Sequence, residues 1–582
     1  MMRKFARGLM LLAMSWSVLS SSGQGFLKAN DKKIVDETGK EVILRGMGLG
    51  GWMLQEGYMY GLSSLGQQYR IREKIEASVG AEKAAEFYER WLATHTTKKD
   101  IDALAVLGFN SIRLPMHYAL YTLPVEKEPI AGSDTWLEKG FALTDSLLKW
   151  CAVNKIYLIL DLHAAPGGQG NDLAIADRDP SKPSLWQSEA NRKKTIALWK
   201  KLAERYASEP WIGGYDILNE TNWGFQDEKD TRGTSEQQNG PLKILSQDIT
   251  RAIRAVDQKH LIIIEGNGFG NNYRGMLPPW DNNMALSFHK YGNFNTPKAI
   301  QHFLDLRDEY NIPIWLGESG ENSNTWFREA IKLSEENGIG WAWWQHKKMN
   351  INNPFEIKKP EGYNRLLADW SGKGPKLSEE EAWDILDEWL HNTALENNIF
   401  HADVADAMFR QVQSNIAVPF KKHELSRGAT TIKAIDFDMG AQGVAYFDTD
   451  TASYHYTPGI NTAGNRGWTY RNDGVDIKRE NDDTYIFHIE EGEWLQYTVS
   501  VKNTGNYQFV FRTRSDSARG AVTILGDEKK LARIDLPVTS AKKWSSTKIP
   551  SVRLTKGIHR LKIYVEKGGF EWIDFTVSGA SR

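Results

Sequence analysis

Short apolar runs alternate with amphipathic segments over the first two thirds of the chain. Eight apolar runs are typical of buried strands, and segments of helical period lie between most of them. The predicted strands cover residues 42–47, 111–114, 157–162, 212–218, 261–264, 285–288, 314–317 and 340–343. The predicted helices cover residues 99–107, 137–153, 190–207, 242–256, 297–310, 326–336 and 379–391. This repeated alternation predicts an α/β fold, a (β/α)8 barrel over residues 26–391.

The pattern changes outside this alternation. An extra helix is predicted over residues 81–93, and residues 345–377 form a long polar segment that we expect to shape a groove. Residues 392–430 are predicted to form a helical connector. From residue 431 to residue 582 short alternating strands and turns predict an all-β jelly-roll sandwich.

Composition narrows the class of protein. The 582 residues carry a net charge of -2, and no basic block is interleaved with aromatic residues, so a nucleic-acid partner is not indicated. The 22 tryptophans suggest large apolar cores or stacking surfaces. Cys151 is the only cysteine, which excludes an internal disulfide, and its helical context indicates a buried packing residue.

The N-terminal segment has the pattern of a signal peptide. Residues 1–25 combine basic positions, an apolar run too short to cross a membrane, and small residues. No cysteine follows that could be lipidated, and no later segment has the pattern of a membrane span. We therefore expect a secreted or periplasmic protein, and a monomer.

Chemically active side chains follow the predicted strands at the end where parallel barrels carry their active sites. Taken singly, each of these residues could be a packing residue or a member of an ion pair. So many of them at the ends of strands is not expected by chance. Two carboxylates at the ends of two strands can flank one glycosidic bond. The residues at the strand ends are Arg113, His163, Asn219, Glu220, His289, Tyr291, Glu318 and Trp344.

In this order the strand-end residues resemble glycoside hydrolase family 5, the cellulase family with two catalytic glutamates. The resemblance covers residues 26–391. The stretch at 163–169, His-Ala-Ala-Pro-Gly-Gly-Gln, is similar to the branch that contains exo-β-1,3-glucanases. One departure is Thr221, where the family usually has proline.

The resemblance implies that Glu220 and Glu318 are the catalytic residues and that the six other strand-end residues belong to the substrate-binding site. Glu220 would act first as general acid and then as general base, and Glu318 would be the nucleophile. Arg113 and Tyr291 would hold Glu318 in its ionised form, and His289 would tune Glu220.

The remaining strand-end residues would contact the sugar. The resemblance implies that Asn219 binds the 2-hydroxyl, that His163 contacts the same sugar, and that Trp344 offers it an apolar face. Glu265 also ends a strand, and we interpret it as a structural residue behind the site. A carboxyl acid makes a metal or cofactor unnecessary, so none is expected.

The C-terminal region has its own resemblance. Residues 432–437, 443–450, 470–477, 492–497 and 570–575 resemble a family 6 carbohydrate-binding module. Tyr470 and Trp544 are candidates for stacking on sugars. Ile435 replaces a glutamate that helps to hold calcium in the family, and Glu571 replaces an amide. We therefore expect weak or absent glycan binding, little calcium dependence, and a sandwich that braces the barrel.

The function predicted from these observations is that of a secreted retaining hydrolase of β-1,4- or β-1,3-linked glucans. A mannanase or a xyloglucanase would use the same residues with different loops. A non-catalytic carbohydrate-binding protein on the same fold is the alternative from another class.

Overall fold

The computed structural model describes residues 25–449, 465–516, 519–539 and 543–579. Eight parallel strands, here β1 to β8, close into a barrel in sequence order. Their bounds are β1 Arg45–Gly48, β2 Ser111–His117, β3 Tyr157–Ala164, β4 Ile212–Asp216, β5 Ile262–Glu265, β6 Met284–Tyr291, β7 Ile314–Gly320 and β8 Gly340–Trp344. The predicted (β/α)8 barrel is confirmed, and a hairpin of Lys28–Asn30 and Lys33–Val35 precedes it.

Helices surround the strands. The longer ones are Gln68–Thr94, Lys98–Leu107, Glu138–Val153, Glu189–Tyr206, Gly240–Arg254, Pro297–Tyr310, Asn324–Glu336, Tyr363–Trp370 and Glu379–Thr393. Short turns of helix cover Gly57–Tyr60, Tyr118–Leu120, Val125–Lys127, Asn267–Gly270, Leu395–Asn397 and Ala434–Asp436. The extra helix predicted at 81–93 begins earlier, at Gln68. It is interrupted at Gly80, whose φ is 80°, and the predicted helix corresponds to the part that follows this break.

Tryptophan fills much of the interior. Among the residues that the structure describes, eight tryptophans are fully buried, which accounts for part of the excess of tryptophan in the composition. They are Trp52, Trp91, Trp199, Trp315, Trp326, Trp341, Trp343 and Trp389. Cys151 is buried in the barrel core, and burial raises the pKa of its thiol, as fits a packing residue.

The segment after β8 is more ordered than its polar sequence suggests. It contains the helix Tyr363–Trp370, and two of its strands, Lys347–Lys348 and Phe355–Glu356, form a small sheet with Ile399–Phe400 of the connector. The buried Lys347 explains part of this order, because its Nζ lies 2.5 Å from Asp100 Oδ1. The connector continues through the helices Ala402–Met408 and Arg410–Gln413.

Two antiparallel-rich sheets form the C-terminal sandwich, which confirms the predicted all-β domain. One sheet contains His423–Leu425, Tyr446–Phe447, Trp494–Val501, Gly520–Gly526, Lys529–Leu536 and Gly557–Lys567. The other contains Thr430–Lys433, Ile477–Glu480, Asp483–Ile486, Gly505–Arg514, Ser545–Lys548, Val552–Leu554 and Glu571–Gly579. The strand His423–Leu425 lies inside the segment predicted as connector, and it pairs in parallel with Trp494–Val501.

Within the described ranges, no helix is long and apolar enough to cross a membrane. Apart from Gly25, the predicted signal peptide at residues 1–25 lies outside those ranges. Export therefore stays a prediction.

Two buried histidines behind β8 lead to a prediction about acid stability. His95 and His346 are fully buried with ring centroids 5.4 Å apart, and burial lowers both pKa values well below 6.5, helped by the charge of Lys347. Asp100 Oδ1 lies 4.0 Å from His346 Nε2. Because the unfolded chain titrates these rings near about pH 6.5, it binds more protons than the folded chain below that pH.

We therefore expect stability to fall as pH drops below about 6.5, and His346→Leu to weaken this dependence. The measurement is urea unfolding of both proteins at pH 7 and pH 5. If the variant lost as much free energy of unfolding as the wild type between the two values, the interpretation would be wrong.

Candidate active site

The eight strand-end residues predicted from sequence converge at the C-terminal end of the barrel. Parallel strands end at one rim, so residues up to 231 positions apart in the chain become neighbours. All eight side chains are largely buried except Tyr291, which is partly buried. They are Arg113, His163, Asn219, Glu220, His289, Tyr291, Glu318 and Trp344.

Two glutamates face each other in this cluster. One carboxylate oxygen of Glu220, one of Glu318 and one ring nitrogen of His289 lie within 4.8 Å of one another. Glu318 Oε1 accepts a hydrogen bond from Arg113 Nη1 at 2.5 Å, and its Oε2 accepts one from the Tyr291 hydroxyl at 3.0 Å. Both oxygens of Glu318 are thus bound by donors that stabilise its ionised form.

Arg113 is fully buried and touches four carboxylates. Its guanidinium donates to Asp216 at 2.8 Å and to Glu265 at 3.1 Å, and lies 3.2 Å from Asp161. Burial lowers the Arg113 pKa, but these carboxylates and Glu318 outweigh burial and raise it well above the usual value. The residue therefore keeps its charge and joins the ends of four other strands.

His163 is held as a neutral ring. Burial lowers its pKa to about 4, against the opposing effect of Glu318. Its Nδ1 lies 2.7 Å from Asp161 Oδ2, and its Nε2 lies 3.3 Å from Asn219 Nδ2. These partners assign the proton to Nδ1, so that Nε2 accepts from the amide. The Asn219 Oδ1 accepts from Arg113 Nη2 at 2.8 Å, which fixes the amide orientation.

His289 connects the two sides of the cluster. Its Nδ1 lies 2.6 Å from Glu220 Oε1, and its Nε2 lies 3.2 Å from Glu265 Oε1. Burial lowers the His289 pKa, but Glu265 and Glu318 outweigh it, and the pKa is raised well above 6.5. The ring is therefore protonated and donates to Glu220.

Glu265 supports the backbone of Glu220. Its Oε2 accepts a hydrogen bond from the Glu220 backbone N–H at 2.7 Å, where Glu220 has a φ of 37°. Burial raises the Glu265 pKa, but His289 and Arg113 outweigh it, so the group stays ionised. This arrangement agrees with the structural role predicted from sequence.

Trp344 packs tightly between β1 and His163. Its ring is stacked on His163 at 5.1 Å with an interplanar angle of 11°, and its Nε1 donates to Tyr58 Oη at 2.8 Å. Gly48 and Gly50 give the indole its space, because a Cβ at Gly48 would lie 2.7 Å from the ring.

Four further residues, none of them predicted from the sequence, border the cluster. Glu56 is buried, with Oε1 3.9 Å from His163 Nε2, and burial followed by repulsion from Glu318 raises its pKa well above 4.5. Glu56 and Tyr58 lie eight and ten positions after the end of β1, so strand-end position did not indicate them. Glu321 directly follows β7, and its Oε1 pairs with Lys348 Nζ at 2.5 Å.

Glu220, His289 and Glu318 are the side chains of the described residues that could together hold a metal ion. Their ligand atoms already have partners, and a protonated imidazole cannot ligate a cation. A reaction without a metal stays our prediction.

The two candidates on the sandwich lie apart from this cluster and have protein partners. The Trp544 ring is covered by the Arg514 guanidinium at 4.6 Å, and its Nε1 donates to Asp483 Oδ2 at 2.8 Å. Arg514 is held in turn by ion pairs with Glu571 and Glu480. Glu571, the carboxylate that replaces the amide usual in the family, thus holds the Arg514 guanidinium over the Trp544 ring.

The Tyr470 hydroxyl donates to Asp436 Oδ1 and accepts from Lys421 Nζ at 2.7 Å. Its polar atom is therefore also engaged within the protein.

We expect Trp544→Ala to leave the affinity of the full chain for soluble β-glucan unchanged within about twofold, because Arg514 already occupies the stacking face. Affinity electrophoresis in glucan gels measures this, with Glu318→Gln as the background to prevent hydrolysis. A clear gain in mobility for Trp544→Ala would show that the sandwich binds glycan at this tryptophan.

Comparison with known proteins assigns the two domains. Residues 74–350 match the sequence profile described as cellulase (glycosyl hydrolase family 5), and residues 468–577 match carbohydrate binding module (family 6). The chain carries a glycosyl hydrolase family 5 domain followed by a family 6 module, and the protein is a glycoside hydrolase. Both predicted resemblances are confirmed.

Individual relatives are distant. A beta-xylosidase of Phanerodontia chrysosporium is 28% identical over 395 residues, which are 62% of this chain and 78% of the relative. Endoglucanase C of Acetivibrio thermocellus is 23% identical over 47% of this chain and 90% of its own. Among solved structures, rutinosidase from Aspergillus niger aligns with a TM-score of 0.43 and 18% identity, covering 53% of this chain and 90% of that chain.

Proposed function

We propose that this glycoside hydrolase cleaves β-linked glucans with retention of configuration, using Glu318 as nucleophile and Glu220 as general acid and base. The observation that carries the proposal is the short separation of the two carboxylates, since one oxygen of Glu220 lies within 4.8 Å of one oxygen of Glu318. Retaining enzymes have carboxyl groups about 5–5.5 Å apart, whereas inverting enzymes leave room for a water molecule between them.

In the first step Glu318 attacks the anomeric carbon while Glu220 protonates the departing oxygen. A covalent glycosyl ester forms, and the glycosidic bond breaks. In the second step Glu220 accepts a proton from water, whose oxygen attacks the anomeric carbon and releases Glu318. The enzyme returns to its starting protonation state, with one water consumed for each bond cleaved.

The neighbours of the two glutamates support these roles. Arg113 and Tyr291 bind both oxygens of Glu318 and favour its anion before attack. When the ester removes that charge, Arg113 keeps Asp161, Asp216 and Glu265 as partners. His289 donates to Glu220, and this bond strengthens when Glu220 becomes a carboxylate after the first step.

Asn219, His163 and Trp344 are proposed to contact the sugar bound at Glu318. Their mutual contacts hold the amide and both rings in one orientation before substrate arrives. Such pre-organisation reduces the entropy lost on binding.

The substrate is proposed to be a β-1,4- or β-1,3-linked glucan polymer or oligosaccharide. The cellulase profile and the name of the bacterial relative support a glucan, and the name of the fungal relative adds β-xylosides to the candidates. A mannanase or xyloglucanase would use the same cluster. Product analysis on defined β-glucan, xylan, mannan and xyloglucan oligosaccharides tests the assignment, and preferential cleavage of a non-glucan would contradict it. We further propose that the protein is exported and monomeric.

The stereochemical outcome provides the direct test of the mechanism. Because two displacements at the anomeric carbon restore its configuration, we expect the first product to be the β-anomer. Proton NMR in the first minutes, before mutarotation, distinguishes the anomers. Initial release of the α-anomer would exclude Glu318 as the nucleophile.

A further inference from the structure

The loop that follows β7 is held from two sides. It consists of Glu321 to Ser323 and joins the strand that carries Glu318 to the helix Asn324–Glu336. Toward the active site, Glu321 pairs with the buried Lys348 at 2.5 Å. The charge of Glu321 contributes to the raised pKa values of Glu56 and Tyr291, after the effects of burial and Glu318. Glu321 therefore lies within electrostatic reach of the cluster.

The other side of this loop is bound by the sandwich. Asn472 Nδ2 donates to the Asn322 carbonyl oxygen at 2.8 Å and to Asn324 Oδ1 at 3.1 Å. The Asn324 backbone N–H donates to the Asn472 carbonyl oxygen at 2.9 Å. One sandwich residue thus binds the loop and the first residue of its helix, and all three asparagines are buried.

Asn472 is itself held firmly. Its backbone N–H donates to Asp403 Oδ2 at 2.7 Å, and the same oxygen accepts from Asn324 Nδ2 at 2.8 Å. The flanking Arg471 and Asp473 pair with each other at 2.8 Å in the sandwich interior. A buried polar network with this many partners has little freedom to shift.

The backbone of the loop needs such support. Glu321 has a φ of 52°, a left-handed conformation that non-glycine residues disfavour. Contacts on both sides of the loop hold that conformation, one through Lys348 and one through Asn472.

We propose that Asn472 of the sandwich is a positioning residue for substrate binding, acting through the loop after β7. The inference rests on the proposed function, because it treats the surroundings of Glu318 as the substrate site. Asn472 keeps Glu321 and Lys348 in place beside the sugar site. The sandwich then takes part in the active site as a support for this loop, whether or not it binds glycan.

The position of Glu318 does not depend on this support. Its carboxylate is bound by Arg113 and Tyr291, which belong to β2 and β6. Loosening the loop should therefore weaken substrate binding more than it slows the chemical step.

The test compares Asn472→Ala with a matched control in the full chain. Asn472→Ala should raise KM for the preferred oligosaccharide about 3- to 10-fold while kcat changes by less than about twofold. The control is Arg328→Met, on the same helix. It removes bonds to the Gln411 carbonyl at 2.9 Å and to Asn415 Oδ1 at 3.1 Å, without touching the loop. It should lower Tm and leave KM unchanged.

A double-mutant cycle separates positioning from general stability. If Asn472 acts through Lys348 and Glu321, Lys348→Met should raise KM, and adding Asn472→Ala should raise it little further. An unchanged KM in Asn472→Ala, or fully additive effects, would overturn the proposal. Asn472→Ser, which keeps a donor for Asn322, replaces the alanine variant if the latter is unfolded by circular dichroism, and should show a smaller increase in KM.

Failure of the proposed function would look different. In that case the wild type would not hydrolyse the oligosaccharide, or Glu318→Gln would retain activity. Either result contradicts the catalytic assignment before the Asn472 comparison is made.

Discussion

Glu318→Gln should lose at least about 100-fold in the rate of β-glucan hydrolysis while the protein remains folded. The amide retains an oxygen that can accept from Arg113 or Tyr291, but it cannot form the glycosyl ester. Reducing-sugar release measures the rate, and thermal unfolding checks the fold. Near-full activity of the variant would exclude the assignment.

Glu220→Gln should lose activity on the polymer to a similar extent, because the departing sugar oxygen needs a proton. Its glycosylation step should be partly spared with an aryl glycoside whose leaving group is a stable phenolate. Glu396→Gln is the matched control, since this exposed carboxylate pairs with Lys99 at the surface and should leave activity unchanged. Equal losses of Glu220→Gln on both substrates in the glycosylation step would argue against the acid role.

The second large effect is expected from Arg113→Met, which should abolish activity and also destabilise the fold. The substitution leaves Asp161, Asp216, Glu265 and Glu318 close together in the interior without their cation. Breaking a buried pair by removing one partner typically costs about 3–5 kcal/mol. Urea unfolding at pH 7 measures the loss.

Arg113→Lys separates charge from geometry. Lysine keeps a positive charge but cannot bind Asn219, Asp216 and Glu318 at once with a planar fork. We expect it to recover part of the stability and little of the activity. A stability loss below about 1 kcal/mol for Arg113→Met would mean that groups other than Arg113 compensate the buried charge of the carboxylates.

The barrel could be predicted from the sequence because its strands are local patterns. Most of the buried strands contain a short apolar run, and parallel strands in sequence order need crossover connections, most of which are helical here. The positions of Glu220 and Glu318 followed from the same pattern, since both come directly after such a run. Glu56 does not follow from this rule, because it lies eight positions after the end of β1.

Other features had no local signal. The coverage of Trp544 by Arg514 depends on Glu571 and Glu480, which come from separate strands of the sandwich. The order after β8 depends on the buried pair of Lys347 with Asp100, nearly 250 positions earlier in the chain. A polar sequence predicts a solvated loop, and only a distant partner can reverse that expectation.

Local sequence patterns predicted the two domain classes, the order of the barrel strands and the eight residues at their ends, because periodicity and strand-end position are properties of short stretches. How those residues pair depends on the folded chain. It assigned the proton of His163 through Asp161 and Asn219, and it held the loop after β7 between Lys348 and Asn472. These are distances between side chains remote in sequence, and folding alone brings them together.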